Sequence, residues 1–319
     1  MHTIGVDVGG TKIAAGVVDE AGNLVATARR ETPATDAEAI EQAIAEAVAE
    51  LREGHEVDAV GVAAAGFIDK TRSVVIFAPN LAWRNEPLRA DLERQVGLPV
   101  LVENDANAAA WGEFRFGAGR EVDDMLLVTL GTGIGGGIVL DGNLLRGAFG
   151  MAAEIGHLRV VPDGIRCGCG NRGCWEKYGS GSALVREARE MASSGALSAQ
   201  RMLDLADGKA KKITGQMVTQ AAAEGDAAAL ELLQDVGRWV GEGVASLAAV
   251  LDPAVVVIGG GVSEAGDLLM DPVRQSFRRT LTARGHRPEA ELRLASLGNE
   301  AGMIGAGDLA AGLRGSARE

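Results

Sequence analysis

The chain contains a strand, a glycine turn and a second strand in the same order twice, and this repetition limits the folds open to it. Thr3–Val8 is a run rich in β-branched residues that Gly9-Gly10-Thr11-Lys12 interrupts before Ile13–Val18 resumes it. The order recurs over 125–140, where Gly131–Gly137 forms the turn. Two such hairpins, one opening each half of the chain, predict a duplicated architecture.

Hydrophobic periodicity predicts the elements around these hairpins. Apolar residues recur at helical spacing within Thr35–Glu53, and Thr35-x-x-Glu38 matches a capping box at its start. Asn299–Leu313 is typical of a small-residue helix that returns to pack on the first domain. The remaining predicted elements are the strands Leu24–Arg29, Ala59–Ala64, Val100–Val102 and Val255–Ile258, a helix over Ala106–Phe116 and a long helix that ends at Leu251.

Length and charge restrict the class of protein. A chain of 319 residues can bury a large core and predicts two domains. The formal net charge of -13 argues against nucleic acid or an anionic membrane as the main partner. The first strand begins at Thr3, which leaves no room for a signal peptide, and no apolar run approaches the length of a membrane span. We therefore expect a cytoplasmic protein with reduced cysteines.

Three cysteines, Cys167, Cys169 and Cys174, lie close to one another and follow His157 by a short interval. Three thiolates and one imidazole complete the tetrahedral shell of zinc, and the intervening glycines allow a short chelating loop. A disulfide framework does not fit, because three cysteines cannot all pair and a bridge between Cys167 and Cys169 would be strained. Three buried thiols without a metal are the alternative. A nucleic-acid zinc ribbon would need a second cysteine pair and a basic surface.

The glycine turns predict phosphate binding rather than a dinucleotide fold. Gly131-x-Gly133-x-x-Gly136 matches a dinucleotide fingerprint in form, but the segment after it is typical of a strand, not of the required helix. The first turn lacks the Gly-Lys-Ser/Thr order of a Walker loop. Both turns offer backbone N–H groups, with the hydroxyls of Thr11 and Thr132, to phosphate oxygens. Ordinary structural turns are the alternative for each.

Two further strand ends carry candidate nucleotide contacts. Asp7 precedes the first glycine turn, where a carboxylate would reach the water shell of a Mg²⁺ ion on the nucleotide phosphates. Gly259–Gly261 follows a predicted strand and would let the backbone approach a nucleoside. The alternatives are an ordinary strand-end acid and a plain connection between elements.

Glu103-Asn104-Asp105 is the candidate reactive centre, because it ends a buried strand where open α/β sheets place their ligands. Phosphoryl transfer to a hydroxyl needs one carboxylate to orient and deprotonate that hydroxyl. Asp105 is suited to this role. An N-cap of the following helix is the alternative role for Asn104 or Asp105, and the two roles are compatible.

Together these motifs resemble the ROK family of sugar kinases and repressors, nearly from end to end. The motifs are Asp7-Val-Gly-Gly-Thr-Lys12, Pro79-Asn80, Glu103-Asn104-Asp105-Ala-Asn107, Leu130-Gly-Thr-Gly-Ile-Gly-Gly-Gly137, Glu154-Ile-Gly-His157 and Cys167-Gly-Cys169-Gly-Asn-Arg-Gly-Cys174-Trp-Glu176. The resemblance implies an α/β, actin-like ATPase (ribonuclease H-like) fold with two domains and a cleft between them. We expect a small domain of residues 1–115 plus 300–319 and a large domain of residues 116–299 with the zinc loop.

The resemblance also implies a role for each matching residue. Asp105 would be the catalytic base, and His157 would bind both zinc and a sugar hydroxyl through its two ring nitrogens. The implied sugar ligands are Gly66, Asn80, Asn104, Asp105, Glu154, His157 and Glu176. The implied zinc ligands are His157, Cys167, Cys169 and Cys174. The implied nucleotide contacts are Asp7, Gly9, Gly10, Thr11, Lys12, Thr132, Gly133, Gly259, Gly260 and Gly261.

The similarity is greatest to the ATP-dependent glucose kinases of the family, which implies transfer of the γ-phosphate of ATP to the 6-hydroxyl of glucose. Glucose and ATP with Mg²⁺ are then the expected partners, zinc is structural, and a homodimer or homotetramer is expected. The alternatives are a kinase for N-acetylmannosamine, fructose or allose, and a sugar-sensing member without catalysis. A repressor is disfavoured because the first hairpin leaves no space before it for a DNA-binding domain.

Overall fold

The structure, a computed structural model, describes residues 2–315 and divides into two compact units. Unit 1 comprises 2–127, 137–153 and 295–315, and unit 2 comprises 128–136 and 154–294. Unit 1 thus includes 116–127, 137–153 and 295–299, which the predicted domains assigned to the larger domain. The domain boundaries stay a prediction.

The first sheet has five strands in the order β3-β2-β1-β4-β8. The first three strands form the predicted antiparallel meander, because tight turns join them directly. β4 and β8 add in parallel, and six consecutive apolar residues of β4, 59–64, are buried. The strands are β1 (His2–Val8), β2 (Lys12–Val18), β3 (Leu24–Glu31), β4 (Val57–Ala64), β5 (Phe67–Ile68), β6 (Val75–Phe77), β7 (Arg84–Glu86) and β8 (Val100–Asn104), of which β5, β6 and β7 form a separate small sheet.

The second five-stranded sheet has the order β11-β10-β9-β12-β13. Numbered along each half of the chain, both sheets follow the order third, second, first, fourth, fifth. This shared order agrees with the duplication that the two glycine hairpins predict. The strands are β9 (Met125–Leu130), β10 (Ile134–Leu140), β11 (Asn143–Leu144), β12 (Val255–Gly259) and β13 (Glu291–Leu294).

Ten α-helices cover the chain within residues 2–315. They are α1 (Ala37–Arg52), α2 (Leu88–Val96), α3 (Asp105–Phe116), α4 (Glu176–Gly179), α5 (Gly181–Ser193), α6 (Gln200–Leu205), α7 (Gly215–Ala223), α8 (Ala227–Leu251), α9 (Asp267–Thr280) and α10 (Ala301–Ala311). Among these residues, none of the helices combines the length and apolar character needed to cross a membrane.

Two local predictions are wrong in detail. Helix α1 is capped by Asp36, whose carboxylate accepts a hydrogen bond from the N–H of Ala39, and not by a box that begins at Thr35. Asp is as good an N-cap as Thr, so the adjacent residue takes the role. The second glycine turn is also shorter than Gly131–Gly137, because β10 begins at Ile134 and its glycines lie in a strand.

Helix α10 packs on the first sheet of unit 1 through glycines, as the sequence predicted for the C-terminal helix. A Cβ atom at Gly5 would lie 1.8 Å from the carbonyl oxygen of Met303, and one at Gly61 would lie 1.8 Å from that of Ala306. The backbones of the neighbouring strands β1 and β4 therefore pack directly against the backbone of α10. Their glycines are required because no side chain fits between strand and helix.

We expect Gly61→Ala to destabilise the protein by about 3 kcal/mol, because overpacking against a backbone carbonyl is relieved only by moving the helix. The free energy of unfolding in urea measures this change. Gly54→Ala is the matched control, since a Cβ there meets no atom within 4 Å, and it should change stability by less than about 0.5 kcal/mol. Equal stability of the two variants would contradict the packing argument.

Candidate functional site

Unit 1 presents the first glycine hairpin at the carboxyl end of β1. The turn is closed by a hydrogen bond from the N–H of Gly9 to the carbonyl oxygen of Lys12, at 3.0 Å. Gly10, Thr11 and Lys12 are exposed at the tip. Backbone N–H groups at an exposed glycine tip are available to an anionic ligand.

Asp7 is the penultimate residue of β1, just before this hairpin, and its pKa is shifted. The pKa of the Asp7 carboxyl is raised to about 6. Burial is the largest cause and the negative charge of Asp105 is the second, while the positive charge of Lys12 lowers the pKa. The structure therefore brings Asp7 and Asp105 close enough to interact. Two carboxylates in a desolvated position are costly unless a cation accompanies them.

Asp105 is the first residue of α3 and follows directly on β8. Asn104 caps the helix, since its Oδ1 accepts from the N–H of Asn107 at 3.0 Å. The Nδ2 of Asn104 donates to Oδ1 of Asp105 and to the carbonyl oxygen of Gly66, each at 3.1 Å. Asn104 therefore orients the candidate base and is itself held by a third predicted site residue.

Burial raises the pKa of Asp105, against the opposing effect of hydrogen bonds from the N–H of Ala106, its own N–H and the side chain of Asn104. A carboxylate with a raised pKa is a stronger base than an ordinary aspartate. Asn80, the other predicted sugar ligand in unit 1, is exposed, and its Cβ would lie 3.5 Å from a Cβ at Gly10. It therefore lies beside the glycine hairpin.

Unit 2 contains the predicted metal cluster. One ligand atom from each of His157, Cys167, Cys169 and Cys174 lies within 4.8 Å of the others. The Nδ1 of His157 is 3.7 Å from Sγ of Cys167, and Sγ of Cys169 is 3.6 Å from that of Cys174. Three sulfur atoms and an imidazole at mutual contact fit a tetrahedral zinc ion.

Glycines in the loop allow the tight backbone turns that bring the cluster together. Gly170 and Gly173 have φ values of 96° and 77°, in the left-handed region that glycine adopts without strain. A Cβ at Gly173 would also lie 1.6 Å from the carbonyl oxygen of Val161. Trp175, fully buried, donates its Nε1–H to the carbonyl oxygen of Trp239 and so anchors the loop to α8.

Glu176 connects the cluster to the second glycine hairpin. Its Oε1 is 3.1 Å from Sγ of Cys167, and a Cβ at Gly133 would lie 2.5 Å from its Oε2. A predicted sugar ligand therefore lies over a predicted nucleotide contact. Glu154, exposed, accepts a hydrogen bond at its carbonyl oxygen from the N–H of His157 at 3.1 Å, and precedes the short 3₁₀ helix Ile155–His157.

A cavity of about 1050 Å³ opens in unit 2 beside the second hairpin. Thr132 and Gly261 line it, together with residues along most of the length of α5 and α7. Gly259 ends β12, and Gly260 has a φ of 83° with a Cβ position 2.7 Å from the N atom of Leu130. The glycine turn after β12 therefore allows close backbone packing beside the cavity.

Sequence reasoning missed the contribution of α5 and α7 to this cavity. Ser180 and Thr214 cap the two helices, and side chains of both helices form much of the wall. The Ser-Gly and Thr-Gly pairs before each helix were the available signal for helix starts. The sequence also did not reveal Arg72 and Arg146, which contact the carboxylate of Glu103. The one available signal was Glu103 itself, since a charged residue in a buried strand needs partners of opposite charge.

Comparisons with known proteins identify the family of the chain. The model of the ROK family matches residues 3–312. The chain is 53% identical over 308 residues to a glucokinase of Streptomyces coelicolor, with 97% of each chain covered. It is 42% identical over 311 residues to a glucokinase of Halalkalibacterium halodurans, covering 95% of this chain and 93% of that one.

The crystal structure of a ROK family glucokinase from Streptomyces griseus in complex with glucose and AMPPNP superimposes with a TM-score of 0.90 at 54% identity. It covers 98% of this chain and 100% of the other. The expected actin-like ATPase fold is confirmed by these neighbours and by the two matching sheet orders. On this evidence, the chain belongs to the ROK family.

Proposed function

We propose that this protein is an ATP-dependent glucokinase, which transfers the γ-phosphate of ATP to the 6-hydroxyl of glucose. The observation that carries the proposal is the position of Asp105. It begins α3 at the end of a buried strand, burial raises its pKa, and Asn104 orients its carboxylate. The likeness to glucokinases over nearly the whole chain supports glucose as the acceptor.

In the proposed mechanism, Asp105 accepts the proton of the 6-hydroxyl as the oxygen bonds to the γ-phosphorus and the bond to the β-phosphate oxygen breaks. A raised pKa makes the ionised carboxylate a better proton acceptor. Positioning and charge neutralisation supply most of the remaining catalysis in phosphoryl transfer. Mg²⁺ bound with ATP would neutralise phosphate charge, and we propose that Asp7, next to the first glycine hairpin, would interact with its water shell.

We propose that carboxylate, amide and imidazole groups recognise the sugar. A site of this kind strongly rejects a sugar analogue that lacks a hydroxyl, because a polar group of the protein is then left without its partner. The Asn104 contacts to Gly66 and Asp105 and the position of Glu176 over Gly133 support this set. The proposed sugar-binding residues are Gly66, Asn80, Asn104, Asp105, Glu154, His157 and Glu176.

We propose that the two glycine hairpins and the turn after β12 bind the nucleotide. The exposed tip of the first hairpin and the cavity lined by Thr132 and Gly261 support this assignment. The proposed contacts are Asp7, Gly9, Gly10, Thr11, Lys12, Thr132, Gly133, Gly259, Gly260 and Gly261.

We propose that zinc is bound by His157, Cys167, Cys169 and Cys174 and has a structural role. The ligand set is saturated with four protein donors, which is typical of structural rather than catalytic zinc. The contact between Cys167 and Glu176 supports a role for the metal in holding the side chains that bind the sugar. A cytoplasmic homodimer or homotetramer remains our expectation from the family.

The proposal is tested by following ADP release from ATP with Mg²⁺ while glucose, N-acetylmannosamine, fructose or allose is offered to the purified protein. A kcat/KM at least tenfold higher for glucose than for the other sugars is the expected result. A higher value for another sugar would retain the kinase and change its substrate. Glucose binding without turnover on any sugar would favour a sugar-sensing member.

We expect Asp7→Asn to weaken use of ATP with Mg²⁺ while it stabilises the protein alone at pH 8. Because the folded-state pKa of Asp7, about 6, lies above its ordinary value of 3.8, its contribution to stability is present at low pH and is lost as the pH rises through 6. The amide removes that loss. The melting temperature without nucleotide should therefore rise by roughly 2–4 °C at pH 8 and little at pH 4.

The same variant should raise the KM for ATP about tenfold or more, since a ligand of the hydrated cation is lost. The measurement is kcat and KM for ATP at saturating glucose. An unchanged KM would remove Asp7 from the nucleotide site, and a lower melting temperature at pH 8 would contradict the charge argument.

A further inference from the structure

Glu103 is a carboxylate with a side-chain exposure of 0%, two residues before Asp105 in the chain. Its Oε2 lies 2.8 Å from Nε of Arg72 and 2.7 Å from Nε of Arg146. The proposed mechanism assigns none of these three groups a role. A buried carboxylate with two guanidinium partners is unusual enough to require an explanation.

The other oxygen of Glu103 holds the first turn of α3. Its Oε1 accepts a hydrogen bond from the N–H of Asn104 at 3.0 Å and from Nδ2 of Asn107 at 3.2 Å. Asn104 in turn donates to Oδ1 of Asp105. A continuous series of contacts therefore runs from the two arginines to the carboxylate of Asp105.

Stability does not account for this series. Buried ion pairs add little net stability, because the cost of desolvation offsets the attraction. Arg72 also adopts a φ of 58°, a left-handed conformation that is unfavourable for a residue with a side chain. The turn is closed by a hydrogen bond from the N–H of Arg72 to the carbonyl oxygen of Asp69, at 3.1 Å, and it directs the Arg72 side chain to Glu103.

The two arginines also fix the segments that surround the corner. Arg146 donates to the carbonyl oxygens of Asp69 and Lys70, at 3.0 and 2.7 Å. The carbonyl oxygen of Arg72 accepts from the N–H of Val102 on β8 at 3.1 Å. Glu103 thus lies at the point where the turn after β5, the end of β8 and the segment before Glu154 are joined.

We propose that Glu103, with Arg72 and Arg146, is a positioning residue that holds Asn104 and Asp105 in the geometry needed for proton transfer. The inference rests on the proposed function, since it assigns the network to the base of that reaction. Displacement of a reacting group by about 1 Å costs on the order of 100-fold in rate. Loss of the network should therefore appear in kcat rather than in nucleotide binding.

Glu103→Gln is the direct test. The amide has nearly the same shape, but it carries no negative charge and has one acceptor oxygen instead of two, so either the arginine side or the Asn104 N–H loses its partner. We expect kcat on glucose at saturating substrates to fall at least about tenfold, while KM for ATP stays within about twofold. Each kcat is normalised to the concentration of folded protein, which circular dichroism and thermal unfolding of the same sample provide.

Glu113→Gln is the matched control. Glu113 also lies on α3 and is fully buried, and its carboxylate accepts hydrogen bonds from the N–H groups of Ala118, Ser296 and Leu297. It has the same chemistry as Glu103, but it holds a different loop. We expect it to lower the melting temperature with kcat within about twofold of the wild type. If Glu103→Gln and Glu113→Gln lower kcat equally, the positioning role is wrong.

Arg72→Gln is a second variant in case Glu103→Gln does not fold. It leaves the Arg146 pair in place, so a decrease in kcat of about threefold to tenfold is expected. If both Glu103→Gln and Arg72→Gln retain wild-type kcat, the inference is overturned and the glucokinase proposal stands. If the wild type itself does not phosphorylate glucose, the proposed function fails first and the inference with it.

Discussion

Asp105→Asn should lower kcat on glucose by about 10³-fold, because the amide cannot accept the proton of the 6-hydroxyl. The substitution keeps the shape of the side chain and its hydrogen bond from Asn104, so the KM for glucose should change by less than about threefold. Since burial raises the pKa of Asp105, the wild-type kcat should rise with pH as the carboxyl loses its proton. The residual activity of the variant should lack this rise.

Asp36→Asn is a suitable control for that experiment. Asp36 also lies at the start of a helix, where its carboxylate caps α1, and asparagine is an equally good cap. We expect its kcat to equal that of the wild type. Retention of more than about a tenth of the wild-type kcat by Asp105→Asn would exclude Asp105 as the base.

Cys174→Ser should lose zinc and most of the activity. Cys174 is fully buried at the cluster, and its removal leaves three ligands for an ion that structural sites hold with four. Because His157 and Glu176 contact Cys167 directly, we expect the KM for glucose to rise about 10- to 100-fold as these side chains lose their support. The zinc content per chain should fall from about one to well below one half.

The matched control is Gly168→Ala in the same loop, since a Cβ at this position meets no atom within 4 Å. It should retain zinc and the wild-type KM. The measurements are zinc by elemental analysis, the melting temperature and glucose kinetics for both variants. Full zinc content in Cys174→Ser, or a wild-type KM after zinc loss, would contradict the structural role of the metal.

Local patterns predicted most of the elements that position the site. The structure confirms the three strands of the first meander, α1 and the return of the C-terminal helix to unit 1. Each of these elements has a hydrophobic periodicity that can be recognised within a short stretch of sequence. The proximity of His157 and the three cysteines is also confirmed, since the chelating spacing brings these residues into one loop. The identity of the bound ion stays a prediction.

Details that depend on competition between neighbours were less predictable. Asp36 and Thr35 are both good N-caps, and only the packing of α1 decides which residue takes the role. Glycines of the second hairpin signalled a turn but lie partly in β10, because a strand in a sheet tolerates glycine where another backbone packs closely.

Residues close along the chain were enough to predict the two glycine hairpins, the metal-ligand spacing and the family. The folded structure was needed to show that Arg72 and Arg146 contact Glu103, that Glu176 lies over Gly133 and that α5 and α7 line the cavity. Such contacts join residues from separate elements, and they form only when the sheets and helices pack. Long-range pairs leave no periodic signal in a single sequence, so the groups that support the base became visible only in the folded chain.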